Sequence, residues 1–175
     1  MTTERDEYFM GLALVQAEAA LAAGEFPVGC LIVADGRVVG EGRRTHSRGQ
    51  ANELDHAEVV ALRELLTRAP EIDPAGLTVY STMEPCLMCF ATLLLNGVRR
   101  IVYGYEDVMG GAANLDLAAL APLYREMRVE VVARLRRAES LALFQAFFGN
   151  PANGYWQGSL LAEYTLAENP PRQKA

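Results

Sequence analysis

The sequence predicts an α/β fold, a three-layer αβα sandwich around one mixed sheet of about five strands. Three observations carry that expectation. Short apolar runs alternate with helical periodicities along most of the chain. The first two strands are joined by Asp35-Gly36, a hairpin signal, so the sheet begins with an antiparallel pair. And 175 residues, 51% of them hydrophobic and 22% charged, suffice for one core of ordinary globular composition.

Taken in order, residues 6–23 have helical spacing, with Phe9, Leu12 and Ala13 on one face, alanines raising the propensity and Gly24 as a stop. Residues 30–33 and 37–41 form the hairpin. Residues 43–55 are polar and without period, a loop, with Asp55 expected to cap the next helix. That helix runs to about residue 68 through Val59, Val60, Leu62, Leu65 and Leu66. Pro70 and Pro74 bound a loop before a buried strand at 77–81. Pro85 opens a helix from 86 to 95, suited as proline is to a first turn. A strand at 100–104 follows, then a Gly110-Gly111 loop able to lie over a site. A helix near 117–125, a last strand at 129–132 and a helix at 136–148 complete the domain, residues 1–148. Residues 149–175 make a tail that can serve as a lid.

Net charge is −6, the opposite of what a large nucleic-acid surface needs. Nearly all cations are arginine, with Lys174 the single lysine. No apolar run reaches the roughly 20 residues of a membrane span, and the charged start lacks the layout of a secretory signal. A cytoplasmic location is the expectation. Three cysteines, two spaced C-x-x-C, suggest metal or redox chemistry more than a disulfide in such a compartment.

The chemistry is concentrated in His56-Ala57-Glu58 and Pro85-Cys86-Leu87-Met88-Cys89, an H-x-E, a gap of 26 residues, then P-C-x-x-C. Either piece alone is weak: C-x-x-C is also a redox dithiol, and H-x-E recurs by chance. Together they supply one imidazole and two thiolates, a zinc donor set with the fourth position left for water, and a carboxylate two residues from the imidazole. That is the signature of zinc-dependent base deaminases. Cys86 and Cys89 share a helix face in the first turn, where the helix N-terminus favours thiolate. A purely structural zinc would need a fourth protein ligand. Cys30 and His46 have the right type, but Cys30 reads as a small buried hydrophobe and His46 as a loop residue facing solvent or substrate.

HAE and EPCLMC, with DEYFMGLAL, EFPVGCLIV, RRIVYGYED and GGAANL around them, resemble the cytidine deaminase-like superfamily. The match lies in its branch of tRNA adenosine deaminases, guanine deaminases and cytosine deaminases, and spans about residues 8–148. The resemblance implies a homodimer with one Zn²⁺ per chain, held by His56, Cys86 and Cys89, and Glu58 as the catalytic proton shuttle. It also implies base contacts from the backbone near Ala57 and Glu84, and a pocket lined by Phe26 and Val28. Two departures stand out. Arg44 occupies the place of a base-binding asparagine, and offers donors only, suited to a carbonyl, carboxylate or phosphate. The tail after Phe148 lacks the basic helix extension of the tRNA enzymes and instead brings Trp156, placed to close over substrate.

The expected reaction is hydrolytic loss of ammonia from an amino-substituted nucleobase or nucleoside of guanine, cytosine or adenine type. Net acidity, the tail and Arg44 favour a small-molecule substrate. The flanking similarity favours the alternative, a tRNA-specific adenosine deaminase making inosine at the wobble position. A zinc-stabilised binding module without turnover is the reading from another class, and the presence of Glu58 argues against it.

Overall fold

The structure is a computed structural model that describes residues 2–168. Helix α1 (Glu4–Ala22) starts two residues earlier than periodicity suggests, because Thr3 and Asp6 form a capping box that satisfies the first-turn amides. Strands β1 (Gly29–Ala34) and β2 (Arg37–Arg43) form the hairpin, with both turn residues at positive φ (48° at Asp35, 75° at Gly36). Helix α2 (Ala57–Arg68), strand β3 (Thr78–Met83), helix α3 (Leu87–Leu95) and strand β4 (Arg100–Tyr105) follow.

The predicted helix at 117–125 is split. A single 3₁₀ turn, Leu117–Ala119, precedes the short α4 (Pro122–Arg125), because Pro122 disfavours helical geometry at the residue before it. Strand β5 (Glu130–Val132) and helix α5 (Arg137–Phe148) come next. A helix not anticipated, α6 (Leu160–Ala167), is capped by the Ser159 side chain on the Ala162 amide.

The strands stand in the order β2-β1-β3-β4-β5. β1 is antiparallel to β2 and β3, and β3, β4 and β5 are parallel, so the sheet is mixed and five-stranded as expected. Pleat alternation divides the core. Leu31 and Val33 of β1 join Phe9, Met10 and Ala13 of α1 on one face. Cys30 and Ile32 join Ala61, Leu65, Phe90 and Leu93 of α2 and α3 on the other. Phe144, Phe147 and Phe148 of α5 and Leu161 of α6 extend this second cluster around Phe26. Among the described residues no helix is long and apolar enough to cross a membrane.

This topology decides where the site lies. β2 and β3 run the same way, so the segments leading to α2 and α3 leave the sheet at one end, the carboxyl ends of the strands, where open α/β sheets build their sites. Gly42 sets how closely α2 approaches: a Cβ there would overlap the Ala57 carbonyl oxygen and lie 2.8 Å from the Ala61 nitrogen.

Candidate active site

His56 and Cys86 are the N-cap residues of α2 and α3. Neither caps with its side chain, since each is turned toward the other. His56 Nδ1 lies 3.5 Å from Cys86 Sγ and 3.4 Å from Cys89 Sγ. All three donor atoms fall within 4.8 Å of one another. Tetrahedral zinc with typical Zn–S and Zn–N bonds separates sulfur from nitrogen by about 3.6 Å, so the donor set and its spacing fit that ion. Among the described residues no other His, Cys, Asp or Glu joins this group. Cys30 is fully buried in β1, its thiol pushed up by burial and then by the charge of Glu58. His46 is largely exposed and bonds Asp55 at 2.7 Å. Three protein ligands and no fourth is the arrangement of a catalytic zinc site.

The Cys86 thiol is lowered to about 4, first by its hydrogen bond with Cys89 and, against the effect of burial, by His56. Cys89 moves the opposite way for the same reason: it donates to Cys86 and is more buried. A thiolate at Cys86 is the form a metal binds.

Glu58 lies in the first turn of α2, only 3% exposed. Its Oε1 accepts from Ser81 Oγ at 3.1 Å, and its Oε2 lies 3.5 Å from Cys89 Sγ. The short spacing of H-x-E therefore leaves the carboxylate within 3.5 Å of a ligand sulfur. Burial raises its pKa, and the charge of His56 opposes that only in part. Such a group is suited to hold a proton and pass it on within the pocket.

A cavity of about 270 Å³ opens beside these groups. Phe26, Val28, Arg44, Ala57, Glu84 and Trp156, all singled out from sequence, line it together with His56, Glu58 and Cys86. Tyr155 of the same tail and Asp107 of the loop expected to lie over the site line it too, as do Glu53 and Leu161, which were not singled out from sequence. Phe26 is the hinge of the wall: its ring centroid lies 5.2 Å from those of Phe144, Phe147 and Tyr155. The tail thus reaches the pocket through Tyr155, with Trp156 at its mouth, 45% exposed.

Arg44 is 2% exposed. Its Nη1 donates to the Asn52 carbonyl at 2.7 Å and its Nη2 to Glu53 and Tyr155, while its Nε meets no acceptor among the described residues. The Glu84 carboxylate, raised by burial, accepts from the amides of Asp107 (3.1 Å) and Ala113 (3.0 Å) and so fixes the Gly-rich loop. Gly111 is required there, because a Cβ would run into that carboxylate at 2.5 Å.

Residues 3–105 match the family model for the cytidine and deoxycytidylate deaminase zinc-binding region. A tRNA-specific adenosine deaminase of Streptococcus pyogenes is 32% identical over 146 residues, 83% of this chain and 91% of the relative. One from Agrobacterium fabrum is 32% identical over 142 residues, 81% and 92% of the two chains. A solved structure from work on A-to-I editing by tRNA:A34 deaminases superposes with a TM-score of 0.68 at 31% identity, covering 78% of this chain and 98% of that one. A guanine deaminase from Nitrosomonas europaea superposes at 0.66 with 21% identity over 84% and 85%, a likeness of fold alone. The metal-ligand geometry and these matches converge on the same stretch of chain, and the protein belongs to the cytidine and deoxycytidylate deaminase zinc-binding family, as a zinc-dependent hydrolytic deaminase.

Proposed function

We propose that this deaminase acts on adenosine in tRNA and makes inosine at the wobble position. The observation that carries the reading is the extent of likeness to tRNA-specific adenosine deaminases, which runs through the flanks as well as the ligand motifs, over 83% of the chain. Composition and tail alone lean toward a small substrate; the relatives reverse that order.

When bound, zinc supplies Lewis acidity and lowers the pKa of water. The chain's own residues do the rest. Glu58 takes a proton from the attacking water at the carboxylate aimed into the pocket and passes it to the ring nitrogen beside the amino-bearing carbon. It then takes the remaining proton from the newly added hydroxyl and delivers it to the amino group, so that the C–N bond breaks, the carbonyl forms and ammonia departs. Ser81 holds the other carboxylate oxygen and keeps the acid in register. Phe26 and Val28 shape the pocket, the backbone at Ala57 and Glu84 meets the base, and Arg44 and Trp156 bound its outer side.

A second reading, a free nucleobase or nucleoside as substrate, is favoured by one specific observation. Tyr155, Trp156 and Leu161 of the tail wall a cavity of about 270 Å³, the scale of a single small molecule. In either case residues 149–168 act as a lid on the domain formed by residues 2–148, the rest of the expected tail, 169–175, lying outside the described residues. We also propose a cytoplasmic homodimer, supported by the exposed Leu87 and Leu95 on the outer face of α3.

One experiment separates the substrates. Zinc-loaded protein is incubated with an adenosine-containing anticodon stem-loop and with a panel of free bases and nucleosides, and ammonia release is measured. Release from the stem-loop alone, with binding that weakens steeply with salt, supports the RNA reading. Release from a free base alone overturns it in favour of the second.

A further inference from the structure

Glu53 lies in the loop between β2 and α2, three residues before His56. Its side chain is about half exposed, 53%, yet one of its oxygens collects three donors. Its Oε2 lies 3.1 Å from His56 Nε2, 2.9 Å from the Tyr155 hydroxyl and 3.2 Å from Arg44 Nη2. The neighbouring backbone is tied as well. The Asn52 carbonyl accepts from Arg44, and the Asn52 side chain bonds Asp55 at 2.7 Å and receives the Leu54 amide at 3.1 Å.

His56 turns Nδ1 to the two sulfurs, so Nε2 is its far nitrogen, and it carries the ring proton when Nδ1 binds the metal. A carboxylate that accepts from the far nitrogen of a metal-ligating histidine fixes its tautomer and ring orientation and makes it a stronger ligand. We propose that Glu53 is the positioning residue for the metal ligand His56, and that through the shared oxygen it couples that ligand to Tyr155 of the carboxy-terminal segment. Tyr155 is well placed to transmit such a link. Its ring packs edge-on against Phe26 at 5.2 Å, and the Arg44 guanidinium carbon stands 5.4 Å from its centroid. Movement of the tail over the pocket then changes the hold on His56, and metal loss loosens the tail.

The test needs neither RNA nor a base, so its outcome is independent of the substrate proposal. Zinc affinity is measured by competition with a chromogenic chelator for the wild type, Glu53→Ala, Glu53→Gln and Tyr155→Phe. Visible spectra of the cobalt-substituted proteins report ligand geometry, and thermal melts in excess chelator check the fold. Glu53→Ala weakens zinc binding about 10- to 100-fold and perturbs the cobalt bands, with an unchanged melt in chelator. Glu53→Gln, which keeps an acceptor oxygen, loses less, and Tyr155→Phe shifts affinity in the same direction by a smaller factor. Zinc affinity within twofold of wild type in both Glu53 variants overturns the positioning role. A weakened Glu53→Ala beside an unchanged Tyr155→Phe overturns the coupling. Should Glu53→Ala fail to fold, Glu53→Gln and its cobalt spectrum decide the matter.

Discussion

Replacing Asp6 by Asn should cost this protein about 2 kcal/mol at neutral pH. Asp6 is buried on α1, where it accepts from Arg100 Nη1 (2.9 Å) and Nη2 (3.2 Å), the Tyr80 hydroxyl (2.7 Å) and the Thr3 amide (3.0 Å). Burial by itself raises its pKa. Arg100, then Tyr80 and Thr3, outweigh that and hold it at about 2, against an ordinary 3.8. At about 1.4 kcal/mol per pH unit, the shift corresponds to roughly 2.5 kcal/mol of folding stability. Because the folded pKa is the lower one, this contribution is fully present above the unfolded value of 3.8 and is lost as pH falls through about 2. Urea melts of wild type and Asp6→Asn from neutral pH downward should therefore differ most at pH 7. The gap should narrow to about half near pH 3. In thermal melts the neutral-pH difference corresponds to about 4–8 °C. A gap under about 0.5 kcal/mol at pH 7, the scale of an exposed ion pair, would refute the reasoning, as would a gap that does not change with pH.

Three further outcomes are expected. Glu58→Gln should keep its zinc, measured by metal analysis, and lose at least about 10²-fold in ammonia release; retained turnover would remove Glu58 from the chemistry. Gly42→Ala should push α2 off the sheet, costing about 1–3 kcal/mol in a urea melt and weakening zinc binding, since the collision is with backbone and not with a flexible side chain. Glu106→Gln should speed hydrogen exchange across Leu160–Ala167, because the Glu106 carboxylate receives Arg137 Nε at 2.8 Å and the Tyr164 hydroxyl at 2.8 Å and so tethers α6. Against the effect of burial, Arg137 and Tyr164 hold Glu106 at about 2, so the tether is intact above the ordinary glutamate range and is released as pH falls through about 2.

The sandwich and its ligand triad were legible because both depend on local signals. Alternating apolar runs mark strands, and two short motifs carry the donors. What escaped depends on partners distant in sequence or on competition for one cap. Asp55 has the right side chain to cap α2, yet His56 occupies that position, while the Asp55 carboxylate is engaged by His46 and Asn52. Helix α6 carried a readable signal in Ser159 before an apolar stretch, obscured by the Gly and Asn residues just ahead of it. Its place in the fold is set by Tyr105, whose hydroxyl bonds Thr165 sixty residues away. Glu53 stands at i,i+3 to His56, a spacing visible in the sequence. Nothing local distinguishes it from any acid in a polar loop, because two of its three donors, Arg44 and Tyr155, reach it only through the fold.

The segments that carry the donors leave the sheet at one end, and the turns at the other end are spared any chemical duty. The Asp35-Gly36 hairpin lies at that distal rim, with Asp35 exposed. A short peptide tag or a tether spliced in there should leave metal uptake and turnover untouched. This gives a way to immobilise the enzyme, or fuse it to a targeting module, with the reactive mouth facing outward.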